Sequence, residues 1–119
     1  MISSKLAACV AMLFLVSVDA VEAGQATHVS SPRHGVLCDR YMCADDKGVS
    51  RELTARYLGE KAAAKLFSQG KFDLTEFTFA NGIFCDVKER LCRENRFYGT
   101  DGKHSGALSK KYTALLFGK

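Results

Sequence analysis

The 119-residue sequence says nearly the same thing twice. Gly35-Val36-Leu37-Cys38-Asp39 recurs as Gly82-Ile83-Phe84-Cys85-Asp86, and a second cysteine follows each copy, Cys43 in one and Cys92 in the other. Further on, Ser50-x-x-Leu53-Thr54-x-x-Tyr57 is matched by Ser105-x-x-Leu108-Ser109-x-x-Tyr112. Residue type and order agree together, which duplication of a structural unit explains and shared composition does not. The matched glycines, cysteines and aspartates are therefore assigned to architecture first, and function is sought in what remains.

The N-terminus reads as an export signal. Lys5 is the one positive charge ahead of an apolar run from Leu6 to Val18, and small residues follow. The run is too short for a spanning helix. Cleavage is expected after Ala23 (Val21-Glu22-Ala23), with Ala20 as the other acceptable site. Leu6-Ala7-Ala8-Cys9 has the form of a lipidation signal, but it precedes the apolar run instead of following it, so Cys9 is expected to leave with residues 1–23. The expected location is the periplasm.

Residues 24–119 then suffice for one small domain with a modest core. They carry Cys38, Cys43, Cys85 and Cys92, an even set that in an oxidising compartment implies two disulfides. Three pairings exist. Chain entropy, at about 2–2.5 kcal/mol for a short loop and about 4 kcal/mol for a long one, does not select the local bridges. Duplication and proximity across a hairpin do favour Cys38–Cys43 with Cys85–Cys92, since a single ancestral unit needs a bridge that it can close alone. The same cysteines are spaced too loosely for a structural zinc site, and disulfide-forming conditions remove the thiolates such a site needs.

Between the cysteines the expected fold class is α+β, a disulfide-stapled domain of two repeated β-hairpin plus helix units. Residues 24–34 form a flexible leader; residues 35–119 form the domain, with the repeat at 35–70 and 77–119. Strands are expected at 77–80, 83–87 and 91–98, the first two joined at Asn81-Gly82, whose residues tolerate the positive φ of a type I′ turn. Asp73-x-x-Glu76 competes as a helix-capping pair, and the strand is preferred beyond Glu76. Ser50 is a suitable helix N-cap, and Leu53, Tyr57, Leu58, Ala62, Ala63, Leu66 and Phe67 recur at helical spacing, interrupted at Gly59 and stopped at Gly70. Ser109–Phe117 is the matching last helix, with Leu108, Tyr112, Leu115 and Leu116 expected inward. The second copy also carries an insertion around Arg93 to Tyr98.

The pattern Gly-apolar-apolar-Cys-Asp, a second cysteine, Asp46-x-Gly48-x-Ser50, then Leu53-Thr54, Tyr57 to Gly59 and Ala62-Ala63 resembles the YcgJ-like family, also called Fels prophage protein-like. Phe77–Asp86, Cys92 and Phe97 to Gly106 carry the second half of that resemblance. It implies a small, exported, cysteine-paired bacterial protein with a prophage connection. It carries over no catalytic residue and no cofactor.

The remaining residues offer little chemistry. His28 and His34 fall in or beside the leader, and His104 is matched with Val49 of the first copy, so no histidine recurs and no carboxylate stands at a spacing that suggests a triad. No catalytic or metal site is expected. Asp39, Asp86, Asp46 and Asp101 could gather a cation if the copies face each other, but aspartates beside turns usually accept from nearby amides. Tyr57 and Tyr112 read as core anchors, and Phe72, Phe77, Phe79 and Phe84 as a core cluster.

Formal charge is +4, and loss of residues 1–23 makes the chain more basic, because Asp19 and Glu22 leave with Lys5. Lys88, Arg90, Arg93, Arg96, Lys103, Lys110 and Lys111 are the expected partner-binding residues if they share a face. The expected function is a monomeric, non-enzymatic module that binds an envelope or secreted protein. The alternative is attachment to anionic lipid head groups or lipopolysaccharide. Nucleic acid is not expected, because aromatics are not interleaved with the basic cluster, and no transmembrane segment remains after cleavage.

Overall fold

A computed structural model describes residues 26–119; the expected signal peptide and the first residues of the leader lie outside the described residues. The fold is α+β: two three-stranded antiparallel sheets with three helices. The first sheet has the order β1 (Leu37–Cys38), β2 (Cys43–Asp45), β3 (Gly48–Val49), and α1 (Arg51–Leu58) and α2 (Glu60–Phe67) follow it. The second has the order β4 (Glu76–Thr78), β5 (Phe84–Asp86), β6 (Leu91–Arg93), and α3 (Lys110–Phe117) closes the chain. No described helix is long and apolar enough to cross a membrane.

Each sheet is stapled at one register position. Cys38 pairs with Cys43 across β1–β2, and Cys85 with Cys92 across β5–β6; both pairs are disulfide-bonded, with Cα separations of 4.1 and 4.0 Å. A directly opposed antiparallel pair brings two Cα atoms close enough for this bridge without displacing the ladder. All four cysteines are buried.

The two units repeat in their buried hydrogen bonds as well. Thr54 Oγ1 accepts from the Cys43 amide at 3.0 Å, and Thr113 Oγ1 accepts from the Cys92 amide at 2.9 Å. Ser50 caps α1 by accepting from Leu53, and Ser109 caps α3 by accepting from Tyr112. The Ser50 amide donates to Cys43 O, and the Ser109 amide to Cys92 O. Ser50 therefore corresponds to Ser109, not to Ser105. The true match is Ser50-x-x-Leu53-Thr54-Ala55 with Ser109-x-x-Tyr112-Thr113-Ala114, and Val49 corresponds to Leu108, which bridges to Arg93 as Val49 pairs with Ala44.

This shift moves the insertion. Cys43 and Ser50 are joined by residues 44–49, Cys92 and Ser109 by residues 93–108, so the second unit holds a ten-residue excess there. Its segment 94–107 folds back on itself. Glu94 N donates to Ala107 O, Ser105 N to Phe97 O and Gly99 N to Lys103 O, while Tyr98 and His104 form an antiparallel bridge. β6 ends at Arg93 instead of continuing to residue 98, because beyond it the chain pairs with the returning strand of the insertion.

The main core joins the two sheets through Leu37, Met42, Ala44, Val49, Phe77, Phe79, Ile83, Leu116 and Phe117. A smaller cluster packs Val36, Cys38, Cys43 and Leu53 against Tyr57 and Leu58. Leu108 and Leu115, expected inward, are exposed, because capping at Ser109 leaves Thr113, Leu116 and Phe117 on the buried face. Phe72 is partly exposed and tilts against Phe67 at 5.5 Å instead of joining the core.

Three local expectations resolve as follows. Asp73 accepts from the Thr75 amide and hydroxyl and starts no helix, and Glu76 opens β4. At Asn81-Gly82 only the glycine has positive φ, 90°, so the turn is not type I′. Gly82 N donates to Phe79 O and Phe79 N to Ile83 O, the pattern of a three-residue loop ending in a left-handed glycine. The leader is not loose to its end, since Ser30 and Cys38 exchange both backbone hydrogen bonds.

Candidate functional site

Asp39 and Asp86 occupy the same position in the two units, and each uses Oδ1 to hold the turn that follows. Asp39 Oδ1 accepts from Tyr41 and Met42, and Asp86 Oδ1 from Lys88 and Glu89. Their second oxygens differ. Asp39 Oδ2 accepts from the Ala80 amide at 2.8 Å, whereas Asp86 Oδ2 faces His104 Nε2 at 3.3 Å.

The insertion supplies that histidine. His104 is clamped by its backbone bridge to Tyr98, and its ring makes tilted contacts with the rings of Phe84 and Tyr98, at centroid separations of 4.8 and 4.6 Å. Besides Asp86, Nε2 lies 3.4 Å from Glu76 Oε1 and 3.6 Å from Glu89 Oε1. Glu76 opens β4 directly opposite Asp86 on β5, and Glu89 sits in the turn that Asp86 caps. Sheet register thus places two of the carboxylates and the turn places the third.

The His104 side chain is 11% exposed and that of Asp86 6%, while Glu76 and Glu89 reach the surface at 35% and 32%. Arg93 donates to the other oxygen of Glu89 at 3.0 Å and to Gly106 O at 2.9 Å, which ties the cluster to the insertion. His104 Nδ1 is buried without a hydrogen-bond partner. Glu76, Asp86 and His104 each offer one ligand atom, all within 4.8 Å of one another, so the arrangement could hold a cation. Among the described residues no hydroxyl is hydrogen-bonded to the buried Nδ1 of His104.

The other acidic residues do not join it. Asp46 pairs with Arg90 at 3.6 Å, and Asp101 accepts from the Lys103 amide. Within the basic set, Arg90 is further engaged over the Phe117 ring and Arg93 with Glu89. Lys88, Arg96, Lys103, Lys110 and Lys111 are exposed, and Lys111 also lies over the Tyr112 ring. Next to Arg96 the insertion displays Phe97 and Tyr98, 64% and 59% exposed.

His104 is not legible as a site in the linear chain, because no histidine stands opposite it in the first copy and Glu76, Asp86 and Glu89 lie at no spacing that suggests a cluster. A usable signal was present: Thr100-Asp101-Gly102 suits a three-residue loop ending in a left-handed glycine, and such a loop pairs Gly99 with Lys103 and Tyr98 with His104.

The chain matches the family described as "YcgJ protein" over residues 29–117. It is similar to "Uncharacterized protein YcgJ" of Escherichia coli (strain K12), with 50% identity over 108 residues that cover 91% of this chain and 86% of the relative. No solved structure matches it significantly.

Proposed function

We propose, on the premise that the chain belongs to the YcgJ family, that it is an exported periplasmic module, monomeric and without enzymatic activity, which binds another protein of the bacterial envelope. The observation that carries this reading is the pair Phe97 and Tyr98. Two adjacent large aromatics are 64% and 59% exposed beside Arg96, on a segment whose backbone is braced on both sides. Aromatic and arginine side chains on a pre-ordered surface are the usual anchors of protein interfaces, because they bury much area at little conformational cost. Paired cysteines support an oxidising compartment.

Crosslinking of a tagged, oxidised protein in intact cells tests this. One dominant protein partner is expected, lost when Phe97→Ala and Tyr98→Ala are combined; a partner recovered equally well with that variant overturns the reading. The second reading, attachment to lipid head groups or lipopolysaccharide, draws on the exposure of Lys88, Arg96, Lys103, Lys110 and Lys111. It predicts binding to anionic vesicles that weakens steeply as salt rises.

A further inference from the structure

We propose that Glu76, Asp86 and His104 form a binding site for a divalent first-row transition-metal ion of the Zn²⁺ type. Each of the three comes from a different segment: the start of β4, the end of β5 and the returning strand of the insertion.

Distances come first. Zn²⁺ holds nitrogen and oxygen ligands at about 2.0–2.2 Å, so two ligands of a tetrahedral site stand about 3.3–3.6 Å apart. His104 Nε2 lies 3.3 Å from Asp86 Oδ2 and 3.4 Å from Glu76 Oε1, both in that range. The ligand atoms of these three residues all lie within 4.8 Å of one another, and Glu89 Oε1 lies 3.6 Å from Nε2. Hydrogen bonding alone does not account for this convergence, because one ring N–H can serve one acceptor well and three oxygens surround it.

Charge points the same way. Three carboxylates meet here, and Arg93, paired with Glu89, is the one lysine or arginine salt-bridged to any of them among the described residues. The group stays net negative whether or not the imidazole carries a proton. A divalent ion placed among Nε2, Asp86 Oδ2 and Glu76 Oε1 removes that excess where Asp86 is buried.

The supports suit ligation as well. Asp86 Oδ1 is fixed by the Lys88 and Glu89 amides, which aims Oδ2, and Phe84 and Tyr98 fix the plane of the imidazole. The first unit has the same capped aspartate but no such site, since Asp39 Oδ2 is occupied by the Ala80 amide. An imidazole among carboxylates selects Zn²⁺ and its neighbours over Ca²⁺ and Mg²⁺, which prefer oxygen-only sites. His104 Nδ1 has no acceptor. A ligating histidine usually donates that N–H, and loss of such a partner weakens metal affinity about 10–100-fold. The site is therefore of exchangeable, not structural, strength.

The test is calorimetric titration of ZnCl₂ into the oxidised protein, in which no cysteine thiolate of the two bridges competes. One ion per chain is expected, with Ca²⁺ and Mg²⁺ giving at least about tenfold weaker binding. Asp86→Asn keeps the capping oxygen but removes the charge of Oδ2, and Glu76→Gln alters a partly exposed side chain; each should weaken Zn²⁺ about tenfold or more. Asp39→Asn should leave it unchanged. In the unsubstituted protein Zn²⁺ should shift the His104 ring resonances and leave those of His28 and His34 in place, a readout that needs no variant. Absence of saturable binding at one ion per chain overturns the proposal, and so does binding that shifts His28 or His34 instead, or that survives both substitutions.

Discussion

Asp39 Oδ2 accepts from the Ala80 amide at 2.8 Å, across 41 residues of chain. The carboxylate that folds the first unit's turn also fastens the loop between β4 and β5 of the second unit. Asp39 is 5% exposed, so this is a charge-assisted bond in a largely dry setting.

Asp39→Asn can keep Oδ1 accepting from Tyr41 and Met42, but it presents an amide N–H₂ to the Ala80 N–H. The expected loss is about 1 kcal/mol, since the part-buried Ala80 donor loses its acceptor. Urea denaturation of the oxidised protein measures it, and Asp86→Asn, which faces no backbone amide through its second atom, should cost less.

The paired threonines make a sharper comparison. Thr54 and Thr113 are buried, and each hydroxyl oxygen takes a buried cysteine amide. Valine has nearly the same shape and no acceptor. Thr54→Val and Thr113→Val should each destabilise by about 1–3 kcal/mol. An unchanged denaturation midpoint in either variant would show that the amide finds another acceptor.

Gly106 allows the insertion to close on itself. A Cβ there would stand 2.5 Å from Asn95 O and 2.8 Å from Asn95 Oδ1. Gly106→Ala should therefore force the two arms of segment 94–107 apart, at about 1–3 kcal/mol. Hydrogen exchange should accelerate at Glu94, Gly99 and Ser105, whose amides bond across the insertion, while the amides of β1 and β2 keep their protection.

Asp73 gives a pH-dependent test. The Thr75 hydroxyl, then the Thr75 amide, hold its carboxyl below the ordinary value of 3.8. A depressed folded-state value contributes stability that is present above the unfolded value and is lost as pH falls through the folded one, so the effect is confined to the acid side of 3.8. Thr75→Val should raise the Asp73 titration toward the ordinary value, as followed by carboxyl NMR. The side chain is solvent-exposed, so the accompanying stability change should be small.

Much of the scaffold could be read from residue order. Matched Gly-Cys-Asp segments announce two hairpins, and neighbouring cysteines in an antiparallel pair meet at one register position. The helices around Gly59 follow from apolar spacing and the Ser50 cap. Register in the second half could not be read in the same way. Ser105-x-x-Leu108-Ser109 imitates Ser50-x-x-Leu53-Thr54 in side-chain type, but only Ser109 receives the backbone bond pattern that starts a helix. That four-residue displacement hid the size of the insertion and the placement of His104. Its cluster depends on sheet register and on one returning strand, and residues 76, 86, 89 and 104 share no periodicity in the linear chain.

The order in which the cysteines pair has a consequence for how the protein matures. Each bridge joins two cysteines consecutive in the sequence, Cys38 with Cys43 and Cys85 with Cys92. If the chain is exported as proposed and oxidised from its N-terminus as it emerges, the first bridge can close before the second pair is exposed. Correct bonding then follows from the timing of emergence, and little work is left for an enzyme that reshuffles mispaired thiols.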